Sequence, residues 1–187
     1  IVLPKGFTLA GYKRVFQDHT IMMGYANTIF YTVVGTLINL VVTVPAGYAD
    51  EKKDVNYGKV VEITYPSKTT GTDRKANIIL PAGFSEEKKY PVLYLLHGIG
   101  GDHNEWIGGG AATVLYNMMA AGEAKDLIAV VPNVRARAND AANPEDIFSI
   151  EHFKAFDNFM NDLKNDLMPF INANYPVFTD RKHTAIA

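Results

Sequence analysis

The pattern of apolar and polar positions after residue 54 predicts several β-strands. Lys59–Tyr65 (KVVEITY) alternates in polarity and is rich in β-branched side chains, which favours a strand. The turn-forming stretch SKTTGTD follows, and Arg74–Leu80 predicts a second strand, so the two would form a hairpin. Val92–Leu96 (VLYLL) and Leu127–Val131 (LIAVV) are continuously apolar, which is typical of strands buried on both faces of a sheet.

Helical segments separate these strands. Ala111–Gly122 predicts a helix that ends at its glycine, and Glu151–Asn174 predicts a long amphipathic helix. The apolar face of the long helix would comprise Phe153, Phe156, Phe159 or Met160, Leu163, Leu167 and Phe170 or Ile171. Asp162 and Asp166, four residues apart, are interpreted as part of its solvent face. His183–Ala187 begins a further strand, so the order of elements predicts an α/β sheet covered by helices on both faces.

The first segment of the chain differs from the rest. Residues 20–49 carry no charge, and Tyr25–Ala49 is long enough to span the hydrocarbon core of a bilayer as a helix. Its scattered small and polar residues suit contacts between membrane helices, although a buried element of a soluble domain is the alternative. We therefore predict two regions: residues 1–53 with one transmembrane-like helix at about 25–49, and an α/β domain over 54–187.

Composition excludes several classes of function. The formal net charge is −2 and the sequence pI is about 6.2, which does not indicate nucleic-acid binding. The chain has no cysteine, which excludes disulfides, thiolate metal sites and cysteine nucleophiles. Neither a cofactor nor a metal site is indicated.

The chemical signature is the segment HGIGGDHNEW, from His97 to Trp106, directly after the third predicted strand. A glycine-rich turn at the carboxyl end of such a strand lies where α/β sheets bind ligands. Glycines are expected to let backbone amides turn into the site, where they would stabilise an oxyanion. An H-G-G-G-type loop after the third strand is a known source of one oxyanion amide in α/β-hydrolases.

Other polar residues receive plainer interpretations. His97 is expected to order the loop by hydrogen bonding, and Trp106 is either a packing residue at the core edge or a wall of the substrate cleft. The side chains interpreted as solvated are His103, His152, Asp102 and Glu105. Arg135 and Arg137 lie in the loop Asn133–Ser149, where solvated surface is favoured over contact with an acidic sugar. Glycines 108–110 are not a phosphate-binding loop, because no Lys-Ser/Thr follows them.

Val60–Ala187 resembles the α/β-hydrolase esterase family that includes bacterial feruloyl and acetyl-xylan esterases. The resemblance is carried by KYPVLYLLHGIGGDHNEW, then GGGAATVLYNMMAAGEAKDLIAVVPN, then FDNFMNDLKNDLMPFINANYPVFTDRKHTAIA. It implies a serine carboxylic-ester hydrolase acting on plant cell-wall carbohydrate esters, with the backbone N–H of Ile99 as an oxyanion donor. His97, Gly98, Gly100 and Gly101 would support that loop. The family's G-x-S-x-G serine motif would follow D-R-x-x-x-A-I-A, after Ala187, so no triad residue carries over.

Two consequences are expected from this pattern. The 187-residue chain itself should lack esterase turnover, because oxyanion hole and binding alone leave only a small part of the acceleration. The last strand, being central in such folds, would present an unfinished apolar edge that a second copy or the 20–49 helix could cover.

Leu3–Ala49 resembles an internal piece of a carbohydrate ABC-transporter permease. The matching residues are Phe7, Thr8, Leu9, Tyr12, Val15, Phe16, Asn27 and Thr28. The segment implies the bacterial inner membrane, whereas esterases of the family are often secreted, so localisation stays open. Three hypotheses follow for the two halves: a join of two gene fragments, a membrane-tethered binding module without catalysis, or a permease fragment with an unrelated tail.

Overall fold

The computed structural model describes residues 49–143 and 145–187. The permease-like segment and the transmembrane-like helix, apart from Ala49, lie outside these residues. Within the described part, no helix is both long and apolar enough to cross a bilayer. The α/β prediction, in contrast, falls on residues that the structure does describe.

The predicted hairpin is confirmed. Strands β1 (Lys59–Ser67) and β2 (Thr72–Leu80) pair antiparallel, with Lys59 opposite Leu80 and Ser67 opposite Thr72. Each strand extends two residues further toward the turn than the sequence indicated. Gly71 lies in the turn with φ +72°, a backbone conformation that favours glycine.

Three short strands complete the sheet: β3 (Val92–Tyr94), β4 (Ile128–Pro132) and β5 (Thr184–Ile186). The five described strands lie in the order β1-β2-β4-β3-β5. β2 runs antiparallel to β4, and β3 runs parallel to both β4 and β5. Every residue of β4 is buried, as its uninterrupted apolar sequence predicted. The carboxyl ends of β3, β4 and β5 therefore meet at one edge.

Helices cover both faces of this sheet. Helix α1 (Glu105–Gly108) and helix α2 (Ala111–Ala120) follow β3, and α2 ends two residues before Gly122, which has φ +75°. After β4, helix α3 (Ile150–Asp162), a π-helical turn (Leu163–Leu167) and helix α4 (Met168–Asn174) continue without a break. The wide turn lies just before Pro169, which cannot donate an amide hydrogen bond to the preceding turn. A 3₁₀ turn (Arg181–His183) leads into β5.

The core has two parts, one on each face of the sheet. On one face, strand residues pack against the long helical segment through Phe159, Leu163, Leu167 and Ile171. On the other face, Ile79, Ala129 and Val131 form a buried cluster with Tyr116 of α2. The predicted covering of the sheet on both faces is thus confirmed.

The buried face of the long helical segment differs from the prediction. Phe153 and Met160 are about half exposed, whereas His152, Ala155, Asp162 and Asp166 are buried. The interpretation of Asp162 and Asp166 as solvent-facing was wrong. Both carboxylates accept hydrogen bonds from the β1–β2 hairpin: Tyr65 Oη donates to Asp162, and the Lys68 and Thr69 amides donate to Asp166. These bonds offset the cost of burying the two charges.

β5 is an edge strand of the described sheet, and Ala185 and Ile186 are exposed. The expectation that a second copy or the 20–49 helix covers this edge stays a prediction.

Candidate active site

The HGIGG segment follows β3 at the edge where the parallel strands end. The backbone keeps its sheet pairing beyond Tyr94, since the Leu95 amide donates to Val130 O at 2.9 Å and the Leu96 amide to Ala187 O at 2.8 Å. Trp106, which is 38% exposed, fixes the start of the loop by donating from its indole Nε1 to Leu96 O at 2.9 Å. The indole is thus hydrogen-bonded and partly exposed, and both its packing role and its role as a cleft wall stay predictions.

His97 is buried and bonded on both sides of its ring. The Val134 amide donates to His97 Nε2 at 2.8 Å, so Nε2 acts as an acceptor. Nδ1 then carries the proton and donates to Gly98 O at 2.6 Å. The ring joins the glycine-rich loop to the segment after β4, which is the arrangement expected of a residue that orders the loop.

The loop turns at residues 98–101, where the Gly101 amide donates to Gly98 O at 3.1 Å. None of Gly98, Gly100 and Gly101 has a positive φ, so the expectation that glycine is needed here for its backbone freedom was wrong. At Gly101 a Cβ would lie 1.5 Å from Glu105 Oε2 and 3.1 Å from His97 Cβ, so a larger residue would displace the Glu105 carboxylate that accepts from the Gly98 amide. Gly98, Ile99 and Gly100 are exposed.

Side chains on both sides hold the loop in place. Glu105 Oε1 accepts from the Gly98 amide at 3.2 Å, and Asn77 Nδ2 of β2 donates to His103 O at 2.7 Å. Asp102 Oδ1 accepts from the Asn104 amide at 2.7 Å. Although Glu105 is exposed as expected, both acids bond to the loop's own backbone, so they support the turn.

Two histidines interpreted as solvated are not. His152 is 1% exposed, and its Nε2 donates to Ile99 O at 3.0 Å. The His103 side chain is only 13% exposed, and its Nε2 lies 3.2 Å from Glu62 Oε2. Both side chains have protein partners that the one-dimensional sequence places far from them.

Arg135 is also buried, which corrects its interpretation as solvated surface. Its Nε donates to Asp140 O at 3.1 Å, while Nη1 and Nη2 have no hydrogen-bond partner among the described residues. Desolvation lowers the pKa of Arg135, and the nearby Asp140 and Asp102 oppose that shift. Arg137, by contrast, is partly exposed and forms an ion pair with Asp146 at 2.9 Å.

A cavity of about 80 Å³ lies beside the loop. Its lining residues are Ile99, Gly100, Arg135, Ala142, Asn143, Ile147 and His152. Among residues 49–143 and 145–187, no three His, Asp or Glu side chains are grouped as a metal site would require.

Comparison with known proteins identifies the family. Residues 67–187 match the family described as "Putative esterase". The chain belongs to this esterase family. It is 32% identical over 142 residues, or 73% of its length, to an endo-1,4-beta-xylanase/feruloyl esterase of Xylanibacter ruminicola. The esterase resemblance is thereby confirmed, whereas no comparison shows the permease resemblance.

Solved structures agree with the esterase fold. A ferulic acid esterase from Anaeromyces mucronatus, in complex with ferulic acid, is 37% identical with a TM-score of 0.68 over 75% of this chain. A feruloyl esterase module from Clostridium thermocellum is 22% identical with a TM-score of 0.58, which supports the fold alone. The chain covers 52% of the fungal structure and 19% of the Xylanibacter protein, so it spans about half of a solved esterase.

Several residues around the site were not identified from sequence. Asn133 lies next to His97, with its Oδ1 3.1 Å from Nε2, and Arg74 donates to the backbone carbonyls of Asn133 and Arg135. For His152 a signal existed, because His152, Ala155, Phe159 and Asp162 follow helical spacing. The more conspicuous phenylalanines indicated a different face.

Proposed function

We propose that this chain carries the oxyanion loop of a serine carboxylic-ester hydrolase acting on feruloyl or acetyl esters of plant cell-wall carbohydrates. The Ile99 amide is the proposed donor to the developing oxyanion, and His97, Gly98, Gly100 and Gly101 shape the loop around it. Trp106 forms a wall of the substrate cleft. Family membership supports the reaction class, and the names of the two ferulic-ester relatives support the substrate class.

The observation that carries the proposal is the position of Ile99. Its amide donates to no acceptor among the described residues, and its residue is 41% exposed at the carboxyl end of β3. Ala187 lies beside Leu96 at the same edge. In the family pattern the nucleophilic serine follows shortly after the residue equivalent to Ala187, which would bring it next to this free amide. A donor of this kind contributes a few kcal/mol to transition-state stabilisation, on the order of 10²–10³ in rate.

The purified 187-residue chain is expected to hydrolyse neither methyl ferulate nor p-nitrophenyl acetate. These 187 residues contain no G-x-S-x-G, and without a nucleophile most of the acceleration is lost. Turnover by this chain that a serine-directed phosphonate blocks would contradict the expected inactivity.

A second preparation tests the function itself. It includes the reading frame beyond the Ala187 codon, which should encode G-x-S-x-G and should give methyl ferulate hydrolysis. The matched control replaces only that serine by alanine and should lose the activity. A frame with no G-x-S-x-G, or an extended protein without esterase activity, would overturn the proposed function.

A further inference from the structure

The turn that contains Ile99 presents two amides that have no acceptor among residues 49–143 and 145–187. Residues 98–101 are closed by the bond from the Gly101 amide to Gly98 O, and no residue of the turn has a positive φ, which makes it a type I turn. In this helix-like geometry, the amides of the two central residues point to the same side, as in the first turn of a helix. Neither the Ile99 amide nor the Gly100 amide donates to an acceptor in the described part of the chain.

The directions of these amides are set by the carbonyls of the same peptides. A trans peptide is planar, so its N–H points opposite to its C=O. His97 Nδ1 donates to Gly98 O, in the peptide that carries the Ile99 amide. His152 Nε2 donates to Ile99 O, in the peptide that carries the Gly100 amide. Two buried histidines therefore donate hydrogen bonds to the carbonyls of two successive peptides, on the side opposite to their amides.

The His152 ring is itself firmly held. Ser149 Oγ accepts from the His152 amide at 3.1 Å and fixes the first turn of α3. The ring packs on Phe156 with centroids 5.1 Å apart, and His97 contacts the same phenyl ring at 5.9 Å. His152 and His97 thus contact the same Phe156 ring.

We propose that His152 is a positioning residue of the oxyanion loop. By holding the Ile99–Gly100 peptide, it keeps the Gly100 amide turned to the same point as the Ile99 amide, so that the loop offers two adjacent donors to one oxygen. The assignment rests on the proposed ester-hydrolase function for its catalytic meaning. The fixed orientation of the Ile99–Gly100 peptide does not depend on that function and can be tested on this chain alone.

The first experiment uses nuclear magnetic resonance on the labelled 187-residue chain. His152 should carry its proton on Nε2 and show a scalar coupling across the hydrogen bond to the Ile99 carbonyl carbon. The backbone order parameters of Ile99 and Gly100 should be near 0.85, typical of rigid backbone, in the original chain and in His152→Gln, which retains an N–H donor. In His152→Leu they should fall below about 0.6.

The matched control is His183→Gln, a change at the opposite end of the sheet where the ring stacks on Phe178. It should leave the loop signals unchanged. A His152 ring with no proton on Nε2 would overturn the proposal without any variant, which matters if His152→Leu does not fold. Equal loop order in the Leu and Gln variants would overturn it too.

The second experiment reads catalysis in the extended protein that includes the serine motif. His152→Leu should lower kcat for methyl ferulate by about tenfold to a hundredfold, below the full loss of a donor, with KM changed less than about twofold. His152→Gln should recover most of kcat. Activity in the original protein with kcat unaffected by His152→Leu would overturn the positioning role. An absence of activity in every variant of the extended protein would overturn the proposed function. In that case the magnetic-resonance result alone would decide whether His152 fixes the Ile99–Gly100 peptide.

Discussion

Two polar regions flank the long helical segment, and they differ in whether their hydrogen-bond donors have acceptors inside the protein. The first, here called the hairpin network, comprises Tyr65, Arg74, Asp162 and Asp166 between the β1–β2 hairpin and the helix. The second is the glycine-rich loop, residues 97–101, with His152. In the hairpin network the Tyr65 hydroxyl and the Arg74 guanidinium donate to acceptors inside the protein, although Asp162 Oδ1 has no partner among the described residues. In the loop two amides have no acceptor among the described residues. Mutual satisfaction is typical of a scaffold, and unpaired exposed donors are typical of a site.

Arg74 links the two regions. It is 1% exposed, lies 3.5 Å from Asp162 through Nε, and donates to the carbonyls of Asn133 and Arg135. Those carbonyls belong to the segment whose Val134 amide binds His97. The buried guanidinium of Arg74 therefore connects the hairpin network to the segment that binds His97.

The largest effect is expected from Arg74→Met. This change removes the cation beside Asp162, which keeps only its bond from Tyr65, and leaves two backbone carbonyls without their donor. Breaking a buried ion pair costs about 3–5 kcal/mol in the free energy of unfolding. Urea denaturation of the 187-residue chain measures the difference. The matched control is Lys75→Met, whose ion pair with Glu62 is about half exposed and should contribute less than about 1 kcal/mol. Similar losses of unfolding free energy in both variants would contradict the distinction between the buried hairpin network and an exposed ion pair.

Asp166→Asn should have a smaller, pH-dependent effect. Burial raises the pKa of Asp166, but hydrogen bonds from Thr69, Lys68 and Ser67 outweigh it, so the net shift is downward. A carboxylate with a lowered folded-state pKa stabilises the fold above its unfolded value near 4, and this contribution is lost as pH falls through the folded-state pKa. The variant should lose about 1–3 kcal/mol at neutral pH and little in acid.

Urea denaturation between pH 7 and pH 3 checks this prediction. Asp157→Asn, an exposed change one turn or more away on α3, is the control and should leave the unfolding free energy nearly unchanged at neutral pH. A constant deficit of Asp166→Asn across the whole pH range would contradict the assigned role of the charge.

The smallest effects are expected at two glycines. Gly110 has φ +79°, so Gly110→Ala places a side chain in the left-handed region and should cost about 1 kcal/mol. Gly100 has no positive φ, and a Cβ there would lie 3.4 Å from Ile147 Cδ1, so Gly100→Ala should change stability by less than about 0.5 kcal/mol. Thermal unfolding compares the pair, and a larger loss at Gly100 would show that the loop does require backbone freedom.

The strands and the sheet were predictable because a strand that is buried on both faces has an uninterrupted run of apolar residues in its sequence. LIAVV carries no polar residue, and β4 is wholly buried. The HGIGG loop was recognisable for a similar reason, since its position after an apolar strand depends only on neighbours in sequence. The hairpin followed from alternation and turn residues.

Partners brought together from distant parts of the chain could not be read in this way. Asp162 and Asp166 have the spacing of an ordinary solvent-facing pair, and only the hairpin, 97 or more residues earlier, makes their burial favourable. His152 is 53 residues from the carbonyl it holds. Sequence alone determined the esterase family, the order of elements and the location of the glycine-rich loop after β3. The tertiary structure decided which polar groups are buried and what fixes the loop, because a buried charge or ring is favourable only beside a partner that folding supplies.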